Sequence, residues 1–227
     1  MDAVIMCAGL GTRVRPLTNF IPKPLIPVAG RSSLERSLEA LPEQIERVII
    51  VIGHHGEQIR QRVGVRHSGR PVDYLIQSPL NGTGGALRQV EPLLRSERFL
   101  VLNGDDLYAA EDLSRLVRIE CGLLVLRTTL NKEEDAWKTS DDGRLLSLER
   151  QPAGVPANIN VGAYCLDQNW FTTKPVLVPG KASEWSLPHA IPELIGRGLT
   201  VAAIPASWWM PLGTMEEFEA AQRVLTR

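Results

Sequence analysis

Apolar residues fall along this chain in short unbroken runs, separated by polar stretches with helical spacing. AVIM (Ala3–Met6), VIIVI (Val48–Ile52) and FLVL (Phe99–Leu102) contain no polar position, as expected of strands buried on both faces. Ser32 with Glu35 forms a capping-box pattern ahead of Leu34, Leu38 and Leu41 on one helical face. A polar helix is expected from about Gly56 to Val63, and another from near Gly84 carrying Leu87, Val90 and Leu94. Val72, Tyr74 and Ile76 alternate as a strand, Asp112 to Ile119 reads as helix, and Gly122 to Thr129 as strand. Buried strands alternating with helices predict an α/β fold, a three-layer sandwich with a mostly parallel central sheet.

The second half is less regular. Asp142-Gly143 predicts a hairpin turn, followed by a strand over Asn160 to Leu166 and a proline-rich loop from Lys174 to Gly180. A helix over Ser186 to Arg197, a strand over Thr200 to Ile204 and an amphipathic helix over Met215 to Leu225 complete the pattern. No repeat or low-complexity linker divides the chain, so a single domain over 1–227 is expected.

Composition narrows the function classes. Hydrophobic residues make up 44% and charged residues 22%, an ordinary globular mix. The formal net charge of −1 gives no basic field to gather nucleic acid or an anionic membrane, so neither is expected as a partner. MDAVIMCAGL has no basic leader, and no run approaches the roughly eighteen apolar residues of a membrane span. Cys7, Cys121 and Cys165 are an odd set beside apolar runs, expected to be free buried thiols in a reducing, cytoplasmic setting.

The chemistry concentrates between Gly9 and Val28, GLGTRVRPLTNFIPKPLIPV. This stretch follows the first buried strand, at whose carboxyl end ligands bind in open α/β sheets. Gly9 and Gly11 permit close approach of backbone amides to an anion, and Arg13, Arg15 and Lys23 can neutralise phosphate oxygens. Pro16, Pro22, Pro24 and Pro27 stiffen the loop. A P-loop would need its lysine directly after the second glycine, and a dinucleotide fingerprint would need glycine where Val14 stands. Asp105 closes FLVLNGD at another strand end, where a carboxylate can hold Mg²⁺ through one or two oxygens. Asp106, next in the chain, is expected to point away and be solvated or capping. Gln77 offers a donor and an acceptor to a base edge, with a glycine cluster at Gly82, Gly84 and Gly85 leaving room for a flat base. His54-His55 lacks a carboxylate or cysteine at ligand spacing, which argues against a histidine–metal site.

The first loop resembles, almost residue for residue, the GxGTRxRPLTxxxPKPLxPV signature of the sugar-1-phosphate nucleotidylyltransferases. The resemblance implies a Rossmann-like nucleotidyltransferase core without the appended β-helix of larger members, acting in nucleotide-sugar biosynthesis. It implies a nucleotide-binding half over about 1–120 and an acceptor-binding half over about 121–227. Arg13 and Lys23 would be catalytic, Leu10, Gly11, Thr12, Gln77, Gly82 and Thr83 would bind the nucleotide, and Asp105 would bind the catalytic Mg²⁺. Asn160-Val-Gly162-Ala-Tyr164 is similar to the family's NAGIY strand under the sugar. The substrates implied are an NTP and a sugar-1-phosphate, and the resemblance allows a homo-oligomer.

Two family motifs are altered. Where WxDxGT supplies a second metal carboxylate, this chain has Trp209-Met-Pro211-Leu-Gly213-Thr214. The EKP motif, whose lysine grips the sugar phosphate, matches Arg150-Gln151-Pro152 without a gap or Glu149-Arg150 with one; both registers stay open, so Glu149, Arg150, Asn160 and Gly162 form the candidate acceptor set. Three readings follow: an active transferase with an altered acceptor site, a nucleotide-binding homologue acting as a regulatory or partner subunit, and a cytidylyltransferase for a non-sugar phosphate such as phosphocholine.

Overall fold

A computed structural model describes residues 1–226. In chain order the elements are β1 (Asp2–Cys7), β2 (Pro27–Val28), β3 (Arg31–Ser32), α1 (Ser33–Glu39), β4 (Arg47–Ile52), α2 (Gly56–Val63), β5 (Arg66–His67), β6 (Arg70–Ile76), α3 (Gly82–Val90), β7 (Arg98–Asn103), β8 (Asp106–Tyr108) and α4 (Ala110–Leu116). The second half adds β9 (Gly122–Thr129), β10 (Glu134–Thr139), β11 (Leu145–Gln151), β12 (Pro156–Asp167), α5 (Ile191–Gly196), β13 (Ala202–Pro205), β14 (Trp209–Pro211) and α6 (Met215–Leu225).

The unbroken apolar strands form the centre of the sheet because both of their faces are covered. β1 pairs in parallel with β4 on one side and β7 on the other, and β6 continues in parallel beside β4. Val48, Ile50 and Ile52 of β4 pack with Leu34 and Leu38 of α1 and Ile59 of α2. Ile49 and Val51 turn to the opposite layer, against Leu87 and Val90 of α3 and Ile191 and Leu194 of α5. The expected mostly parallel sheet is present in its central β7-β1-β4-β6 run, with one antiparallel pair at the β5–β6 edge and the other antiparallel pairs made by β10, β11 and β12. There the turn around Gly143 (φ +81°) folds β10 onto β11, and β12 runs antiparallel to β7, β9 and β10.

Local signals set most boundaries. Ser32 and Glu35 make the reciprocal capping box that opens α1, and Thr214 with Glu217 does the same for α6. α3 begins at Gly82 and ends at Val90, short of Leu94, because Pro92 cannot continue it. Pro188 and Pro192 likewise confine α5 to the end of the expected Ser186–Arg197 helix. No helix among the described residues is long and apolar enough to cross a membrane.

One buried ion pair fastens β1 to β4. Arg47 Nε and Nη2 donate to the two Asp2 carboxylate oxygens at 2.9 and 2.8 Å, and Arg95 N–H donates to Asp2 Oδ2 at 2.7 Å. Burial pulls the Asp2 carboxyl upward, but these donors outweigh it and hold the group below the usual carboxylate range. Asp2→Asn should cost about 3 kcal/mol, the low end of the range for a broken buried pair because Asp73 still meets Arg47. A depressed carboxyl stabilises fully above its unfolded value near 3.9 and loses that contribution as pH falls through its lower folded value. Urea unfolding should therefore show the wild-type advantage shrinking on acidification. An advantage that stayed constant down to pH 2 would refute this account of the pair.

Candidate active site

A cleft of about 630 Å³ opens at the carboxyl ends of β1, β4 and β7. The structure brings Leu10, Gly11, Thr12, Arg13 and Lys23 to one wall, and Gln77, Gly82 and Thr83 to another. Asp105 lies between them, beside Asn103. Chemistry scattered over the first half of the sequence therefore faces one space.

The glycine-led loop is built as three short 3₁₀ turns, Thr12–Val14, Leu17–Asn19 and Lys23–Leu25. Gly11 sits at φ +61°, and a Cβ there would stand 2.7 Å from Thr18 Cγ2, so glycine is required. Thr18 Oγ1 donates back to Gly11 O at 2.8 Å and Val14 N–H donates to the same carbonyl at 3.0 Å. Val14, Ile26 and Val28 anchor the loop in an apolar cluster with Leu212, Phe218 and Ala221. Arg13 projects from it exposed, with the C-terminal segment beside it: a Cβ on Gly213 would lie 3.5 Å from its guanidinium. Lys23 is buried, and its Nζ donates to Asp105 Oδ2.

Asp105 keeps about a third of its side chain exposed because the chain turns sharply at Gly104. A Cβ there would collide with Cys7 Sγ, and Ser33 Oγ donates to Gly104 O at 2.7 Å. Burial and the adjacent Asp105 charge push the Cys7 thiol well up, which fits a packing role for it. The expectation for Asp106 is corrected. It is buried, in register with Pro211 across the β8–β14 pair, and accepts from Asn103 Nδ2 at 3.1 Å. Burial first, then repulsion from Asp105, drives its carboxyl well above the usual range.

Gln77 is also buried, and its Nε2 donates to Asn81 Oδ1 at 3.2 Å and Gly82 O at 3.0 Å. Both amide protons are thus engaged, and Oε1 meets no donor among the described residues. The expected bare backbone at the glycine cluster is corrected too. Gly82, at φ +85°, packs on the Trp185 backbone, Gly84 on Ser186, and Gly85 under the Asn81 side chain. Gly82 and Gly84 admit a second segment of protein, from which Lys181 and Glu184 reach the same cleft. A lysine after a proline-rich loop carried no signal of that placement.

The acceptor candidates do not line the cleft. Glu149 and Arg150 are consecutive on β11 and so project to opposite faces. Glu149 pairs with Lys138 at 2.8 Å, and Arg150 with Glu133 at 3.0 Å and Asp135 at 3.5 Å. Asn160 Nδ2 donates to Tyr164 OH at 2.6 Å. Gly162, at φ +76°, lies directly behind Asn103, whose side chain a Cβ would strike, so β12 reaches the cleft only through that asparagine. Ser186, His189 and Asp135 form a hydrogen-bonded chain nearby, with links of 2.7 and 3.1 Å.

No group of three His, Cys, Asp or Glu side chains among the described residues could enclose a metal, and His55 Nε2 lies 3.0 Å from Asn19 O. Mg²⁺ does not require such a cage. It is commonly held by one or two carboxylates together with substrate phosphates and water, and the partly exposed Asp105 fits that role.

The model of the nucleotidyl transferase family matches residues 2–227. Bifunctional protein GlmU of Methanococcus maripaludis (strain C7) is 30% identical over 216 residues, which cover 94% of this chain and 51% of that protein. The chain thus spans about half the length of the GlmU relatives it matches. The UTP–glucose-1-phosphate uridylyltransferase AglF of Haloferax volcanii is 28% identical over 242 residues, covering 99% of this chain and 96% of AglF. The structure of CTP:phosphocholine cytidylyltransferase from Streptococcus pneumoniae superposes with a TM-score of 0.77, covering 99% and 98% of the two chains; at 18% identity the likeness is one of fold. A match along all but the first residue, on a sheet that carries the loop at its carboxyl edge, makes this chain a member of the nucleotidyl transferase family.

Proposed function

We propose that the protein is a nucleotidylyltransferase that joins an NTP to a sugar-1-phosphate, giving an NDP-sugar and pyrophosphate. The observation that carries this reading is the Gly9–Val28 loop, folded so that Arg13 and the Lys23–Asp105 pair face Gln77 across one cleft. Similarity to AglF along nearly its whole length supports a sugar-1-phosphate as acceptor.

The reaction is in-line attack of a sugar-phosphate oxygen on the α-phosphorus, with pyrophosphate leaving. A phosphate monoester with a second pKa near 6 is already ionised at pH 7, so no general base is needed. The work is to bring two polyanions together and stabilise the charge on the transferred phosphorus. Arg13 offers a planar fork of donors at the exposed lip of the loop. Lys23, held in place by Asp105, supplies a fixed cation with little freedom left to lose. Gln77 has its amide protons engaged and presents Oε1 as an acceptor, which suits the ring N–H of uracil, thymine or guanine. Mg²⁺ held by Asp105 would neutralise phosphate charge.

Each NTP assayed with a panel of sugar-1-phosphates and Mg²⁺ should yield pyrophosphate for at least one pair. Silence across the panel with nucleotide binding intact would favour a non-catalytic partner subunit, the reading that Pro211 supports by removing a carboxylate beside Asp106. Release with phosphocholine and CTP alone would instead select the non-sugar acceptor.

A further inference from the structure

The segment from Val176 to Ser186 has a built role that the loop-like sequence conceals. It folds as a small hairpin: Ser186 N–H donates to Val176 O at 2.7 Å, Val178 N–H to Glu184 O at 2.8 Å, and Lys181 N–H to Val178 O at 2.9 Å. Leu177 and Trp185 form an antiparallel bridge, and Gly180 takes the turn at φ +77°. The hairpin is tied to the start of α3, where Trp185 N–H donates to Asn81 O at 2.6 Å and Gly84 N–H to Trp185 O at 2.9 Å. Asn81 and Gly82 are also the partners that fix Gln77. Gln77, the glycine turn and the hairpin are thus one hydrogen-bonded unit, with Lys181 at its tip.

Lys181 lines the cleft together with Arg13 and Lys23. Lys23 is committed to Asp105, and the only partner of Lys181 among the described residues is Glu184, at 3.4 Å with both side chains about half exposed. A pair this open is worth little and is readily exchanged. The charged side chains lining the cleft are Arg13, Lys23 and Lys181 against Asp105 and Glu184. That balance is poor for two phosphorylated substrates unless one pair opens, and the Lys181–Glu184 pair is the exposed one.

We infer that Lys181 is a phosphate-binding residue that leaves Glu184 for a substrate phosphate oxygen, with Glu184 restraining it in the empty protein. The inference rests on the cleft being the NTP and sugar-phosphate site. It concerns phosphate oxygens as a class, which either substrate could supply.

Titration calorimetry and steady-state kinetics separate the cases. Lys181→Ala should weaken NTP binding about tenfold, the value of one charge-assisted hydrogen bond, while nucleoside binding stays unchanged. Alternatively it should leave NTP binding intact and raise KM for the sugar phosphate by a similar factor, placing the contact on the acceptor. Lys181→Arg should restore most of the loss. Glu184→Gln should tighten the same substrate a few-fold, a gain that a merely structural lysine would not give. If wild-type protein binds NTP, and neither Lys181→Ala nor Glu184→Gln alters affinity or KM for either substrate, the inference fails. If wild-type protein does not bind NTP, the functional reading has failed instead.

Discussion

Arg13→Ala is expected to slow turnover by about 10²-fold or more, the cost of removing one preorganised charge from a reacting site. Its stability should barely change, because the side chain is exposed and leaves no buried partner behind. Lys23→Ala should lose at least as much rate and also destabilise the protein. Lys23 is only 8% exposed, and its loss strips Asp105 of its counter-charge. Urea unfolding beside pyrophosphate-release kinetics separates the two effects, and Lys23→Gln, which keeps most of the volume, isolates the charge. Normal turnover in a folded variant at either position would mean that the loop is not the phosphate cradle.

Pro211→Asp is the second variant with a large expected effect. Pro211 stands opposite Asp106, and Leu212 N–H donates to Asp105 O at 3.1 Å. A new carboxylate there would join Asp105 and Asp106, the second of which is buried with its carboxyl already driven well above the usual range. Metal-free variant should therefore melt lower than wild type, and Mg²⁺ with nucleotide should recover the loss. The Mg²⁺ concentration for half-maximal rate should fall, since on the proposed function the natural protein would rely on Asp105, triphosphate oxygens and water. Activity appearing only in the variant would identify the natural protein as a nucleotide-binding homologue. Tight Mg²⁺ binding by nucleotide-free wild type would reveal an additional ligand, with Asp106 the first to test.

The parts of this molecule that could be read from sequence are those governed by local rules. Val48–Ile52 announced a central strand because unbroken apolarity has few other uses in so short a run. Ser32 and Glu35 announced the start of α1 because a capping box is specified within four residues. The glycine-led loop was legible because its glycines, arginine, lysine and prolines stand in fixed order. Asp106 was misread because alternation along a strand says which way a side chain points, not what lies there; Asn103 and Tyr108 from its own turn, and Gly162 from far along the chain, enclose it. Gly82, Gly84 and Gly85 were misread for a related reason. A missing Cβ marks a close approach, but the approaching group is a hairpin about a hundred residues onward at Gly82 and Gly84, and the Asn81 side chain at Gly85. Glu149 and Arg150 show the limit of motif matching, since strand alternation divides them between two faces whichever register applies.

The anchoring of the glycine-led loop also has a temporal side. Val14, Ile26 and Val28 are made early in synthesis, whereas Leu212, Phe218 and Ala221, the surface they rest on, are made long after them. A nascent chain can assemble β1, β4 and β7 while the loop still has no floor. On the proposed function, phosphate affinity would therefore arrive only once α6 has left the ribosome, and a chain that stops short of α6 would carry Arg13 and Lys23 without the shape of the loop. The same dependence makes α6 a place from which the loop can be loosened without touching any residue of the cleft.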